Sequence, residues 1–555
     1  MTIQITNPLI IQSDRSILLE VHNPLFENAR DAISRFAELV KSPEHIHTYR
    51  ITPLSLWNAA SAGLGQAEIL GSLEQYSKYP IPQNILVDIG EMLSRYGKLR
   101  LFPSDQKHLL RLEVQDPYLQ QELMHNRKLQ PFWAEQLSEG GFLINIGDRG
   151  NVKQALIKIG YPVDDRVGYI EGAPLEVRLR SLTLGGEPFA LRDYQQEACA
   201  AFYRGGGVEG GHGVVVLPCG SGKTVIGMGI MEKVSAYTLI ISTNTVAVHQ
   251  WIDELLDKTS LPPDAIGEYT GNLKEIRPIT IATYQILTHR KSKTDEFTHL
   301  EIFQKNNWGL IIYDEVHTLP APVFRATAEI QSKRRLGLTA TLVREDGLED
   351  DVFSLVGPKK YDVPWKELEA RGFIAEAHCY EIRLDLPHED KLIYAIADER
   401  QKFRIASENK QKLHVAIELI NNHEQDQILI IGQYISQLEY LQQHLAIPMI
   451  TGKTKNQERE RLYQDFREGK LKQLIVSKVA NFAVDLPDAN VAIQVSGTFG
   501  SRQEEAQRLG RILRPKHRLS FFYSLVSRDT KEQDFALKRQ MFLVEQGYKY
   551  RIENW

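Results

Sequence analysis

Gly213-Val-Val-Val-Leu-Pro-Cys-Gly-Ser-Gly-Lys-Thr224 is an apolar run that ends in a glycine-rich turn closed by a lysine and a threonine. Its pattern predicts a buried strand over 213–217 that delivers the chain to the end of a parallel sheet. There Gly220, Ser221 and Gly222 let backbone N–H groups wrap a phosphate, and a helix from Thr224 adds its positive end. Lys223 then reaches the outer phosphates of a nucleotide, and the Thr224 hydroxyl a magnesium ion. Leu217 stands where the full pattern has its first glycine. Taken alone, the loop also fits a plain strand-to-helix turn, so the rest of the chain decides.

At 555 residues the chain exceeds what one core serves, and three or four domains are expected. Cys199, Cys219 and Cys379 are scattered without metal-ligand spacing, which fits a reducing compartment and small buried side chains. No stretch approaches the roughly 18 apolar residues of a membrane span, and no basic-then-apolar leader opens the chain. A cytoplasmic protein is expected. The net charge of -5 excludes one that holds nucleic acid by bulk electrostatics, so any DNA contact must be local.

Residues 1–110 alternate apolar helical patterns, such as Ala29 to Val40, with proline-bearing turns. Thr52 before Pro53 resembles a helix N-cap with proline at the first position. Residues 111–185 shorten into mixed helix and strand, with a helix and stop over 150–162, and Gly185-Gly186 marks a linker. After Phe189 come Ile- and Val-rich strands, each followed by helical pattern, at 213–217, 237–243, 279–284, 308–313 and 335–339. A second series follows at 427–432, 448–451, 471–477, 490–495 and 521–526. Strands separated by helices imply parallel βαβ units. The expected class is α/β: two tandem RecA-like parallel-sheet lobes, 186–362 and 363–555, after two N-terminal accessory domains, 1–110 and 111–185. Only the first lobe carries a phosphate loop, which is the layout of a nucleotide-driven motor.

Leu310-Ile-Ile-Tyr-Asp-Glu-Val-His317 ends an apolar strand in two carboxylates. An Asp-Glu pair there is ordinarily a solvated turn. About ninety residues after a phosphate loop, it reads as Asp314 holding magnesium and Glu315 orienting and deprotonating the attacking water. His317, beside them, is assigned a coupling role over a solvated one. Arg192 and Gln195 lie just before the first strand, where the Gln195 amide has the donor and acceptor geometry to read an adenine edge. In the second lobe, Gln507-Arg-Leu-Gly-Arg-Ile-Leu-Arg514 places Arg508, Arg511 and Arg514 at spacings of three on one helix. Such a face is usually solvated. Here Arg511 and Arg514 are expected as arginine fingers on the phosphate, and Gln507 on the attacking water.

These blocks, in this order, resemble superfamily 2 helicases over residues 189 to about 530. Ser242-Thr243-Asn244 and Ala282-Thr283-Tyr284 are similar to the strand-contacting motifs of those enzymes, and Leu338-Thr339-Ala340-Thr341 to their coupling motif. Ser477-Lys478 through Asp485 resembles the motif that touches both DNA and nucleotide. Within the superfamily the likeness is to the XPB family in its bacterial and archaeal form, and it runs nearly end to end. Arg344-Glu345-Asp346 matches that family's strand-separating element, and Leu217 to Thr224 its form of the phosphate loop. The resemblance implies an ATP- and Mg2+-dependent DNA translocase with 3′→5′ helicase activity in DNA repair. It also implies a damage-recognition-like domain before the motor and, in bacterial and archaeal members, a partner nuclease. Pro387 to Lys412, where the family often inserts a thumb-like helical element, is short for a full one.

The expected function is therefore duplex opening driven by ATP. The alternative is a remodelling scaffold that recruits a partner such as a nuclease and hydrolyses ATP without processive unwinding. A DNA-binding module with a dead nucleotide site is disfavoured by the presence of Lys223, Asp314, Glu315, Arg511 and Arg514.

Overall fold

A computed structural model describes residues 4–41, 45–106, 108–167, 171–207, 210–290, 298–320, 322–323, 326–327, 333–341, 349–477, 489–499, 501–510, 512–513 and 519–555. The chain divides into two compact units. The larger comprises Met1–Glu38, Thr48–Val216 and Gly222–Asp362, and the smaller Leu39–His47, Leu217–Ser221 and Val363–Trp555.

The first fifty residues hold four short strands, β1 (Leu9–Ile11), β2 (Ser16–Glu20), β3 (Glu38–Lys41) and β4 (Ile46–Arg50). The helical pattern expected over 29–40 is realised only as Phe26–Ile33, after which the chain turns extended into β3. Helix Pro53–Ser61 begins as the Thr52-Pro53 pair predicts. The Thr52 hydroxyl accepts from Ser55 N at 3.0 Å and the Ser55 hydroxyl accepts from Thr52 N at 3.0 Å, so two orphan donors are satisfied reciprocally. A five-stranded sheet follows, β5 (Leu99–Pro103), β6 (Leu109–Val114), β7 (Glu135–Gln136), β8 (Phe142–Asn145) and β9 (Val163–Asp165), in the order β7-β8-β6-β5-β9. It starts at Leu99, ahead of the boundary expected near 110, because β5 pairs with both β6 and β9.

The larger unit's main sheet contains β10 (His212–Val216), β11 (Thr238–Ser242), β12 (Ile266–Tyr269), β13 (Ile279–Thr283), β14 (Leu310–Asp314), β15 (Arg334–Thr339) and β16 (Lys359–Asp362). All are parallel, in the order β12-β13-β11-β14-β15-β10-β16. Its central strands are buried on both faces, which is why they read as continuous Val and Ile runs without alternation.

The smaller unit repeats the plan with β17 (Ala377–Leu384), β18 (Ile428–Gly432), β19 (Met449–Ile450), β20 (Gln473–Ser477), β21 (Val491–Gln494), β22 (Ser520–Ser527) and β23 (Tyr550–Asn554). The order β19-β20-β18-β21-β22-β17-β23 is the same permutation, third-fourth-second-fifth-sixth-first-seventh, as in the first sheet. Between β17 and helix Gln411–Asn422 lie two helices, His388–Ile396 and Glu399–Ser407, in the segment where a thumb-like element was expected to be short. Among the described residues no helix is long and apolar enough to cross a membrane.

Candidate active site

The parallel register brings the ends of β10, β14 and β15 to one edge: Val216 stands opposite Thr339, and Asp314 opposite Leu338. Crevices at the carboxyl ends of such strands are where open α/β sheets bind ligands. From Val216 the chain enters the glycine turn. The Pro218 carbonyl accepts from the Ser221 hydroxyl at 2.7 Å and closes it. Gly220 and Gly222 have φ of 81° and 79°, the left-handed region that costs an L side chain. Gly222 is the N-cap of helix Lys223–Val234 and has no side chain with which to cap it, which suits a helix N-terminus that meets an anion. A Cβ on Gly222 would stand 2.7 Å from Gln195 Nε2, so the Gln195 amide packs directly on this backbone. Its oxygen accepts from Arg192 N at 2.9 Å, which fixes the amide's orientation.

Asp314 is held from several sides. Its Oδ2 accepts from Ser242 Oγ at 3.0 Å and from Trp251 Nε1 at 3.1 Å, while Tyr284 donates its hydroxyl to the Asp314 carbonyl at 3.0 Å. Burial, and then the neighbouring Glu315 charge, push the Asp314 carboxyl above the usual carboxylate range. A cation beside it would reverse that. Asp314 fits a magnesium ion on these grounds, and Thr224 stands in the first turn of the helix Lys223–Val234 that follows the glycine turn. Among the described residues no group of three or more His, Cys, Asp or Glu side chains could hold a metal.

Glu315 adopts φ 49° and ψ 53°, a left-handed conformation that a non-glycine residue holds only against a cost. It aims one oxygen at each neighbour. Oε1 lies 3.7 Å from Lys223 Nζ. Oε2 is buried without a hydrogen bond, with His317 Nδ1 3.5 Å away. His317 Nδ1 is 2.6 Å from Thr339 Oγ1, and Thr339 in turn donates to the Thr341 carbonyl and accepts from Thr341 N at 3.1 Å. Since the single hydroxyl hydrogen of Thr339 goes to Thr341, the imidazole must be the donor, and Nδ1 carries the hydrogen. One polar chain thus runs Lys223, Glu315, His317, Thr339, Thr341.

Thr243, Asn244, Thr283 and Tyr284, expected to contact DNA, have structural partners. Thr243 Oγ1 accepts from Asn244, whose own oxygen caps helix Thr245–Lys258 through Ala247 N at 3.0 Å. Thr283 caps helix Tyr284–Leu287 through Ile286 N at 3.2 Å, and Ser477 is buried at the end of β20. Gln507 sits half-buried on helix Arg502–Gly510. That helix is described only to Gly510, and Arg508 is no part of an exposed basic face. It is buried, bonds to Gln494 Oε1 and lies 3.5 Å from Glu504, because the polar atoms of β21 beneath it need a donor. Arg344, Glu345, Asp346, Lys478, Asp485, Arg511 and Arg514 lie outside the described residues. Two residues that sequence reasoning missed as carboxylate partners are Ser242 and Trp251. The signal for the tryptophan was weak, a lone aromatic on an amphipathic helix.

Comparison with known proteins places this geometry. The chain is 52% identical over 547 residues to the DNA 3′-5′ helicase XPB of Kineococcus radiotolerans, covering 98% of this chain and 96% of the relative. The chain belongs to the XPB helicase family. It is similar also to the DNA 3′-5′ helicase XPB of Mycobacterium tuberculosis, 50% identical over 99% of this chain and 98% of that one. To the general transcription and DNA repair factor IIH helicase/translocase subunit XPB of Encephalitozoon cuniculi it is 34% identical, over 99% of this chain and 83% of the relative. Residues 368–554 match the ERCC3/RAD25/XPB C-terminal helicase family, 188–344 the type III restriction enzyme res subunit family, and 9–138 a helicase conserved C-terminal domain. The XPB family match at 368–554 spans the whole second parallel sheet, β17 to β23.

Proposed function

We propose that the chain is an ATP-dependent DNA helicase that translocates 3′→5′, acts in DNA repair, and couples hydrolysis to strand opening through the polar chain from Lys223 to Thr341. The observation that carries this is the placement of Glu315 between Lys223 and His317. The loop N–H groups and Lys223 bind the phosphates of ATP. Gln195, packed on Gly222, orients the base side of the nucleotide with Arg192. Thr224 and Asp314 would hold magnesium, which would neutralise charge on the outer phosphates. Glu315 takes a proton from the attacking water, whose oxygen bonds to the terminal phosphorus as the bond to the ADP oxygen breaks, releasing ADP and phosphate. Gln507 positions that water, and Arg511 and Arg514 stabilise the charge that develops. His317 bonds to Thr339 and faces Glu315, so a change at the carboxylate is felt at Thr341 and in the chain leading to Arg344, Glu345 and Asp346, which part the strands. Thr243, Asn244, Thr283, Tyr284, Ser477 and Lys478 belong to segments that follow the DNA, and Asp485 to the coupling side. The fixed side chains of Asn244 and Thr283 favour contact with the DNA backbone through main-chain groups of these turns.

Glu315→Gln keeps the shape and loses the base. ATP binding should persist while turnover falls by about 10²- to 10⁴-fold, the usual scale of a positioned general base. Nucleotide titration beside steady-state hydrolysis on forked DNA checks it, and near-normal hydrolysis would sink the assignment. The nuclease partner that the family resemblance implies is tested by co-purification with the cytoplasmic fraction of the source cell.

A further inference from the structure

The side chains that hold Asp314 all arise in two turns of the larger unit, the same turns whose sequences resemble strand-contacting motifs. Ser242 ends β11 and leads straight into Thr243 and Asn244. Asn244 caps helix Thr245–Lys258, and Trp251, further along that helix, donates its indole N–H to Asp314 Oδ2 at 3.1 Å. Tyr284 opens the helix Tyr284–Leu287 directly after its cap Thr283, and its hydroxyl donates to the Asp314 carbonyl at 3.0 Å. Trp251 is 2% exposed and Tyr284 5%, so neither ring offers a surface on which a base could stack. Their polar atoms point at the carboxylate strand instead.

Trp251 has a second contact. A Cβ on Gly227, in the helix Lys223–Val234 that follows the glycine turn, would stand 2.5 Å from Trp251 Cη2, closer than a real Cβ comes. The indole therefore packs on the backbone of that helix, which only a glycine there allows. One side chain thus touches the helix of the phosphate loop and the strand end that carries Asp314, while its own helix starts at the turn 242–244. Ser242 Oγ and Trp251 Nε1 bond to the same oxygen of Asp314, at 3.0 and 3.1 Å. Together they set the rotation of the carboxylate and with it the direction of its other oxygen. A slide of helix Thr245–Lys258 by about an ångström would take the indole bond beyond hydrogen-bond reach.

We propose, resting on the reading of this chain as a DNA-driven ATPase, that Trp251 and Tyr284 are positioning residues through which a DNA strand on the turns 242–244 and 282–284 sets the geometry of Asp314 for magnesium. The direction is opposite to that of the polar chain from Lys223 to Thr341: here the state of the strand is felt at the metal carboxylate. Close packing around both rings makes each bond either made or broken, which lets a small shift at a turn count at Asp314. Coupling of this kind is reciprocal. If the strand improves the fit for magnesium and nucleotide, these must tighten the hold on the strand by the same factor.

The test measures the affinity of the full chain for a fluorescent single-stranded oligonucleotide by anisotropy, without nucleotide and with magnesium and a non-hydrolysable ATP analogue. In the parent the two affinities should differ by about 5- to 150-fold, the usual size of a coupling. Trp251→Phe keeps an aromatic ring beside Gly227 and loses the N–H, while Tyr284→Phe removes a single oxygen. Each should lower the ratio, and the two together should bring it close to one. Lost packing alone would weaken each ligand by itself and leave the ratio standing, so the ratio separates positioning from support of the fold. Thermal unfolding identifies the variants that fold, and Tyr284→Phe carries the test if Trp251→Phe does not. A ratio unchanged in the folded variants would overturn this role and leave DNA-driven hydrolysis intact. A parent ratio of one would overturn both.

Discussion

Asp314 meets two opposed demands. Ser242 and Trp251 hold one of its oxygens, yet burial and Glu315 disfavour its charged form, a cost that a bound cation would relieve. Asp314→Asn keeps an oxygen for both donors and removes the charge. It should raise the stability of the nucleotide-free protein by roughly 0.5 to 2 kcal/mol while abolishing turnover, the common trade at strained active sites. The sign against pH follows from the direction of the shift. A carboxyl raised in the folded state destabilises fully above its folded pKa and not at all below the unfolded value, so the gain should vanish as pH falls below about 3.9. Urea unfolding of both proteins at neutral and acid pH checks this, and an equal gain at both would remove the titration from the explanation. Sequence reading placed Asp314 and Glu315 correctly at a strand end, but could not see their supports. Ser242 is 72 residues away in the chain and Trp251 is 63.

Helix Arg502–Gly510 shows how a spacing rule misleads at the scale of an element. Residues three apart share a helix face, so Arg508 was grouped with Arg511 and Arg514. Yet Arg508 itself lies over β21, where Gln494 accepts from it and donates to Glu505 at 3.0 Å, and Glu505 lies 3.4 Å from Arg539. Arg508 is thus part of the second lobe's core. Arg508→Met should destabilise that lobe by about 3 to 5 kcal/mol, because Glu504 and Gln494 lose a buried partner. Arg511→Ala and Arg514→Ala should leave unfolding midpoints near the parent value and cut hydrolysis by about 10³- to 10⁵-fold with nucleotide affinity largely kept. Denaturation and single-turnover hydrolysis on the three variants separate the roles. If Arg508→Met unfolded at the parent midpoint, the inward arginine would have no structural part.

For the whole molecule, two sheets with the same seven-strand permutation but one phosphate loop mean that the fold is duplicated and the nucleotide chemistry is not. The accessory region is tied to the first sheet by Asn58 Oδ1, which accepts from Lys359 N at 3.1 Å, and to the helix Glu349–Leu355 by Gln154, which donates to Asp351 at 3.0 Å. Asp165 anchors its own domain. Burial alone would raise its carboxyl, but Arg149 and Lys153 outweigh that and hold it below the usual range. A depressed carboxylate contributes stability above its unfolded pKa and loses it as pH falls through the folded one. Asp165→Asn should therefore cost about 3 to 5 kcal/mol at neutral pH, with the difference shrinking below about pH 3.9. Strand opening has its own test. Replacing Arg344, Glu345 and Asp346 by alanine should spare DNA-stimulated ATPase and reduce strand displacement on forked DNA. Equal loss of both would move the triplet into the coupling path.

The sequence by itself determined the phosphate loop, the Asp-Glu strand end, the two series of parallel strands and the family, because each is written in neighbouring residues: a glycine where φ is positive, apolar runs where both sheet faces are covered. Only the tertiary structure decided the rest. The edge strands Lys359–Asp362 and Tyr550–Asn554 escaped notice because an edge is half solvated and carries Lys, Glu and Arg that read as loop, and Ile266–Tyr269 and the inner strand Ala377–Leu384 because Gly, Glu, His and Arg interrupt their apolar runs. The end of the helical period read over 29–40 became the strand Glu38–Lys41, since sheet pairing overrides local propensity. The partners of Asp314, the inward turn of Arg508 and the bond from Lys359 N to Asn58 Oδ1 all join residues apart in sequence, and no local pattern records which distant groups a folded chain will bring within a hydrogen bond.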